Sequence, residues 1–325
     1  MKRSLLIWLL LLPLFWASFG MGAQAAGNCS SDPIVTGPIS VNGLNFGSID
    51  VLSGLPSETS GSFEFTCNGL NSGQTFRICA AFTGPSPRKM KKDSSTLDYD
   101  IFTDSAHSTI YGPAPANGVY FDLTSSKNTA IFNVYALIYG NQNTASVGSY
   151  YENASLKLSY ALFASGTPLP LGCDPSDSRY TSTSYGFGVG AEITPNCTIS
   201  ATNMTFSPQI IIKTDLLAES ALTVKCTNDP TNPILPYISL DNGQYAGSGQ
   251  RYMQNQDKPG NFISYDLYSN RERTSNWGSS PGVDTVAIER SASDRTVPVY
   301  GKIPKPPISP PSGTYTDRIT ATVNF

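Results

Sequence analysis

Apolar and polar residues alternate along most of this chain, and the pattern predicts short strands. In Tyr185-Gly186-Phe187-Gly188-Val189-Gly190-Ala191-Glu192-Ile193, five apolar side chains recur at every second position. Three glycines and Glu192 fill the other positions. An extended chain puts these two sets on opposite faces, one apolar and one nearly bare. A flexible glycine tether gives no reason for that phasing, so the stretch predicts a strand. Thr75–Phe82, Ala130–Leu137 and Leu222–Cys226 predict others, separated by Asn, Gly, Pro and Ser. The final run, Gly313 to Phe325, alternates as well and stops at an aromatic residue. Such an ending suggests a sheet edge that needs a partner.

The chain repeats itself. Gly148 to Tyr160 echoes the final run, and Leu97-Asp98-Tyr99-Asp100-Ile101-Phe102 echoes Ile263-Ser264-Tyr265-Asp266-Leu267-Tyr268. Tyr111-Gly112 matches Trp277-Gly278, and Tyr135 matches Tyr300. The offset is 168 from Cys29 to Cys197 and 159 from Cys67 to Cys226. Landmarks held in order at nearly one spacing indicate a tandem duplication, with a period too long for a solenoid. The fold expected is all-β: two tandem immunoglobulin-like β-sandwich domains, the second lacking its final strand. The expected division is a signal peptide at 1–25, a first domain at 26–180 completed by a strand at 181–194, and a second domain at 195–325.

Composition supports strands over helices. Charged residues make up 14% of the chain, with Gly 28 and Pro 24. A net charge of −3 gives no field that would draw nucleic acid or an anionic membrane. Lys2-Arg3, the apolar core Leu5–Trp16 and Ala23-Gln24-Ala25 read as a secretory signal cleaved near Ala25. The apolar run falls short of the ~20 residues of a spanning helix, and no later segment approaches that length. Six cysteines in an exported protein suggest three disulfides. The duplication pairs Cys29 with Cys67 and Cys197 with Cys226, which leaves Cys79 and Cys173.

The second repeat resembles the spore coat protein U domain, found in subunits of archaic chaperone–usher pili. The resemblance is carried by Cys197 and Cys226, Gln250-Arg251-Tyr252-Met253, Ser264–Tyr268, Trp277-Gly278, Val299–Pro304, and Gly313, Tyr315 and Asp317. The first repeat is a diverged copy, with Tyr111 where the family usually has Trp. The resemblance implies a sandwich missing its last strand, which the N-terminal extension of the next subunit fills by strand addition. It also implies a periplasmic chaperone that caps the open groove, an outer-membrane usher, and export through the periplasm to the cell surface. After cleavage at Ala25 only Ala26, Gly27 and Asn28 would precede Cys29, too few for a donor strand. The expectation is therefore a tip adhesin subunit, at the pilus tip, serving attachment and biofilm formation. Tyr185, Phe187, Val189, Ala191 and Ile193 are expected to complete the first domain in cis. Ile319, Ala321, Val323 and Phe325, or their alternates, are expected to flank the donor-strand groove of the second.

Surface binding is expected at the far end of the first domain. There Pro168-Leu169-Pro170-Leu171 hold two leucines extended between prolines, stapled if Cys173 bonds Cys79. Tyr111, Pro113 and Pro115 form a second candidate loop. The occupant would be an abiotic or host surface. Arg88–Lys92 and His107 read as solvated loops. Enzyme chemistry is not expected. The single histidine has no Gly-x-Ser-x-Gly beside it, no Cys-x-x-Cys offers a metal site, and no glycine-rich loop precedes a helix. No cofactor is expected. The competing readings are a structural coat or fibre subunit without a receptor, and a carbohydrate-binding module.

Overall fold

The structure, a computed structural model, describes residues 27–29, 40–41, 43–112, 118–174, 176–230 and 232–325. The expected signal at 1–25 lies outside the described residues, as do Pro113 and Pro115. No helix occurs among the described residues.

The first half contains β1 (Gly27–Asn28), β2 (Ser40–Val41), β3 (Leu44–Ile49), β4 (Ser57–Asn68) and β5 (Thr75–Thr83). It continues with β6 (Arg88–Lys92), β7 (Ser95–Phe102), β8 (Val119–Leu123) and β9 (Thr129–Ile138). Two long strands close it, β10 (Gly148–Phe163) and β11 (Thr181–Ile193). The second half contains β12 (Cys197–Ala201), β13 (Leu216–Cys226), β14 (Tyr237–Leu240), β15 (Arg251–Asn255) and β16 (Phe262–Tyr268). It ends with β17 (Val286–Ala287), β18 (Arg295–Ile303), β19 (Tyr315–Thr316) and β20 (Ala321–Asn324).

Each half buries its own core, as two tandem sandwiches must. Phe63, Phe132, Phe82 and Phe187 lie at the centre of the first, with Phe63 and Phe132 stacked at 4.8 Å. Trp277 anchors the second, and its indole N–H donates to the Ile238 carbonyl at 2.9 Å. The structure joins Cys29 to Cys67, Cys79 to Cys173, and Cys197 to Cys226.

The strand orders match between halves. One layer reads β4-β9-β7-β6-β10 in the first and β13-β18-β16-β15-β19 in the second. The other layer reads β8-β5-β10 against β17-β14-β20. A single strand, β10, therefore serves both layers of the first domain. It meets β6 at Tyr151↔Lys91 and β5 from Ser155 to Phe163. In the second domain the same path is broken into β19 and β20.

The halves differ in what covers this path. In the first, β11 runs antiparallel along β10 from Gly148↔Ile193 to Tyr160↔Thr181 and parallel to β3 on its other side. Phe187, Val189 and Ile193 are fully buried and Ala191 nearly so, while Tyr185 packs on the margin of that core. The glycines on the reverse face have a steric cause. A Cβ at Gly186 would lie 2.4 Å from Asn153 Oδ1, and one at Gly188 would lie 3.2 Å from Tyr151 Oη. Cross-strand side chains already occupy the space above both. In the second domain, no strand among the described residues pairs with the other edge of β20.

Candidate functional site

Two features stand out: a groove beside β20, and a flap at the end of the β10–β11 hairpin.

The groove measures about 790 Å³. Residues 199–206 form one wall and residues 315–321 the other. Leu222, Leu240, Met253, Tyr265, Leu267 and Val299 line the floor between them. Met204 and Phe206 can lie flat because Gly301 beneath them has no side chain; a Cβ there would sit 2.2 Å from Met204 Sδ. Ile319 and Ala321 line the groove, and Val323 packs on the second core beyond it. Phe325 does not join them. It lies one residue past β20 and is 59% exposed, because no described strand offers it a packing surface.

Polar contacts hold the wall at 315–321. Asp241 Oδ1 accepts from the Thr320 N–H at 2.9 Å, and the Asp241 N–H donates to the Thr320 carbonyl at 3.0 Å. Behind the floor, the buried Arg251 donates to the carbonyls of Asp241 at 2.9 Å and Trp277 at 2.7 Å. Burial lowers the pKa of this guanidinium.

The flap spans residues 164–180, between β10 and β11. Thirteen residue pairs of that hairpin separate it from the start of the second domain, roughly 40 Å at ~3.3 Å per residue. The first and second domains touch at the opposite end, where the Val147 N–H donates to the Asn228 carbonyl at 2.7 Å. The flap does not stand clear of the sandwich. It folds back over the outer face of β5, where Cys79 bonds Cys173. Arg77, two residues before Cys79 on the same face, is 3% exposed. Its Nε and Nη2 grip both oxygens of Asp122, at 2.6 and 2.7 Å. Its Nη1 donates to the carbonyls of Pro170 and of Gly172, the latter at 2.9 Å. Its guanidinium lies 4.5 Å from the centre of the Tyr120 ring. Pro168 and Leu169 are exposed, Pro170 is half-buried, and Leu171 points fully into solvent.

The profile of the Spore Coat Protein U domain family matches residues 15–156 and again 183–322. The chain belongs to the Spore Coat Protein U domain family. Protein U of Myxococcus xanthus is 30% identical over 130 residues, spanning 37% of this chain and 69% of that protein. In three dimensions the chain resembles one chain in the structure of the CsuC–CsuE chaperone–tip adhesion subunit pre-assembly complex from the archaic chaperone–usher Csu pili of Acinetobacter baumannii. That likeness has a TM-score of 0.53 and 18% identity and covers 87% of this chain and 99% of the other. The CupB6 tip adhesin of Pseudomonas aeruginosa aligns at a TM-score of 0.34 and 11% identity, over 82% of this chain and 86% of that one.

The structure departs from several expectations. Tyr111 is not a surface residue. It is fully buried, its ring meets Phe82 edge-on at 5.1 Å, and its N–H donates to Ile101 at 2.7 Å. It is the counterpart of Trp277, whose N–H makes the same bond to Leu267 at 2.8 Å. Burial pushes the Tyr111 hydroxyl pKa far up. Arg88–Lys92 is not a loop but β6. Arg88 and Met90 face the core, and Arg88 donates to the Thr83 carbonyl at 2.8 Å, as Arg251 does to its own domain's carbonyls. His107 sits in a turn against Phe102, with ring centroids 5.0 Å apart. Sequence reasoning passed over Arg77. On a strand face that alternates with Phe76 and Ile78 it reads as a solvent-facing charge.

Proposed function

We propose that this protein is a tip adhesin subunit of a bacterial chaperone–usher pilus, with no enzymatic role. Its first domain binds surfaces and serves attachment and biofilm formation. Its second domain accepts a donor strand from the next subunit. The observation that carries this reading is internal to the chain: the edge of β10 is covered by β11, while no strand among the described residues pairs with the equivalent edge of β20, beside a groove with an apolar floor. In this reading Tyr185, Phe187, Val189, Ala191 and Ile193 are a donor strand supplied in cis. Ile319 and Ala321, with Val323 at the end, are the lip that a strand supplied in trans would pair with. A periplasmic chaperone would occupy the groove first, and an outer-membrane usher would exchange it for the neighbouring subunit. The protein would thus pass through the periplasm to the cell surface. A subunit completed at one end and open at the other belongs at a fibre terminus.

The binding surface in this reading is the flap, with Leu169 and Leu171 offered to a hydrophobic abiotic or host surface. The test is retention of cells displaying the protein on polystyrene and on immobilised sugars. Replacing Leu169 and Leu171 with Ser is expected to reduce retention on polystyrene while leaving the displayed amount unchanged. Unchanged retention removes the flap from the reading. Retention on sugars alone would favour a carbohydrate-binding module, and retention on neither would favour a coat or fibre subunit without a receptor.

A further inference from the structure

We infer that Arg77 is the positioning residue that presents Leu171, acting with the Cys79–Cys173 bond as a two-point latch on the flap. The inference rests on the adhesive reading above. One nitrogen, Nη1, donates to the carbonyls on either side of Leu171, those of Pro170 and Gly172. Drawing both carbonyls inward to one point turns the residue between them outward. That is the geometry observed, with Leu171 fully in solvent and Cys173, two residues on, buried.

The remaining donors of Arg77 hold the guanidinium in place. The bidentate grip on Asp122 and the Tyr120 ring fix its plane, which a lysine ammonium could not reproduce. Both supports come from β8, paired with β5 at Arg77↔Asp122 and Cys79↔Tyr120. The fold itself does not need this arrangement. The matching strand of the second domain, β14, carries Tyr237, Ile238, Ser239 and Leu240, and neither cysteine of the second latch point has a counterpart there. The pair buries the Arg77 side chain but leaves that of Asp122 32% exposed, and an apolar pair often stabilises a sheet face at least as well as an ion pair that must be desolvated. An apolar pair cannot hold two flap carbonyls. Arg77 therefore serves the flap rather than the sandwich.

A double-mutant cycle on cells displaying the full chain tests this, with retention on polystyrene scaled to displayed protein. Leu171→Ser is expected to weaken binding about tenfold, the loss of one apolar anchor. Arg77→Gln is expected to weaken it to a similar extent. The double variant is expected to be no worse than Leu171→Ser alone, because Arg77 acts through Leu171. Hydrogen exchange in residues 169–173 should quicken in Arg77→Gln, with residues 185–193 unchanged. Independent, multiplying losses in the double variant overturn the inference. So does wild-type retention by Arg77→Gln when Leu171→Ser is impaired. Wild-type retention by Leu171→Ser removes Leu171 from the adhesive surface and overturns the inference with it. If Arg77→Gln fails to reach the surface, Arg77→Lys and Asp122→Ala take its place. Both should reduce retention only when Leu171 is present, and wild-type retention by both overturns the inference.

Discussion

The hydroxyl of Tyr265 donates a 2.6 Å hydrogen bond to Asp317 Oδ2. Tyr265 is 4% exposed, and burial, reinforced by that bond, raises its pKa. Asp317 also accepts from the N–H groups of Gln244 at 2.9 Å and Arg318 at 2.8 Å. One carboxylate thus sets the break between β19 and β20, where the corresponding β10 runs on without interruption. Asp317→Ala leaves a buried hydroxyl without its acceptor, which costs about 1–3 kcal/mol. Calorimetry should show the loss in the second domain's transition alone. Adding Tyr265→Phe should recover part of it, because the orphaned hydroxyl is then gone.

The cis strand should be the most sensitive element of the first domain. The Phe187 ring meets Phe82 at 5.1 Å and Phe63 at 6.4 Å, edge-on to both, and no part of it reaches solvent. Phe187→Ala should destabilise that domain by about 3–5 kcal/mol, seen as a lower denaturation midpoint with the second domain's midpoint unmoved. Tyr185→Ala, at the margin of the core, should cost clearly less. Equal losses at the two positions would contradict the packing order described here.

These two residues also show how much the sequence discloses. Strand type, the duplication and the apolar phase of 185–193 are local or periodic properties, so they are legible in a single chain. Tyr111 reads as a surface residue because Gly and Pro follow it, whereas its burial depends on Phe82 on another strand. Its spacing to Trp277 was the available signal. Arg77 offered less. It is buried by a flap whose contact carbonyls lie 93 and 95 positions away, and only its neighbour Cys79 hints that the outer face of β5 is covered. Phe325 shares its parity with Ile319 and Ala321, yet parity does not bury a residue that no strand among the described residues covers.

Acid should loosen the flap's return turn before it unfolds the sandwiches. The Arg179 side chain bonds both oxygens of Asp177, and with the Arg179 N–H it holds the Asp177 pKa down to about 2. A depressed folded-state pKa means that this carboxylate supports the turn fully above the unfolded value of 3.8 and loses that support as pH falls toward 2. The ion pair lies in a surface turn, with the Asp177 side chain partly open to solvent, so the effect should be local. Pepsin cleavage within 174–180 should rise between pH 4 and 2, relative to sites in β10, and Asp177→Asn should show the faster cleavage already at pH 4. Parallel cleavage curves for the two forms would count against the turn's dependence on this carboxylate.

No strand among the described residues pairs with the edge of β20 opposite β14, and that edge restricts what can bind there. An added strand must supply N–H and C=O groups to that edge and apolar side chains to the groove floor of Leu222, Leu240, Met253 and Leu267. A synthetic peptide with the alternating apolar–glycine pattern of 185–193 meets both needs. A peptide of the same composition in scrambled order lacks the phase, and one with alternate prolines lacks the donors. Only the first should protect amides of residues 317–324 from exchange. At a concentration of about 100 times its Kd it should stabilise the second domain by about 2.7 kcal/mol. The first domain, whose matching edge is already filled by β11, should show no shift with any of the three. Stabilisation by the scrambled peptide would mean that the groove takes apolar mass without strand pairing, and protection in β10 would mean that β11 is not a fixed part of its domain.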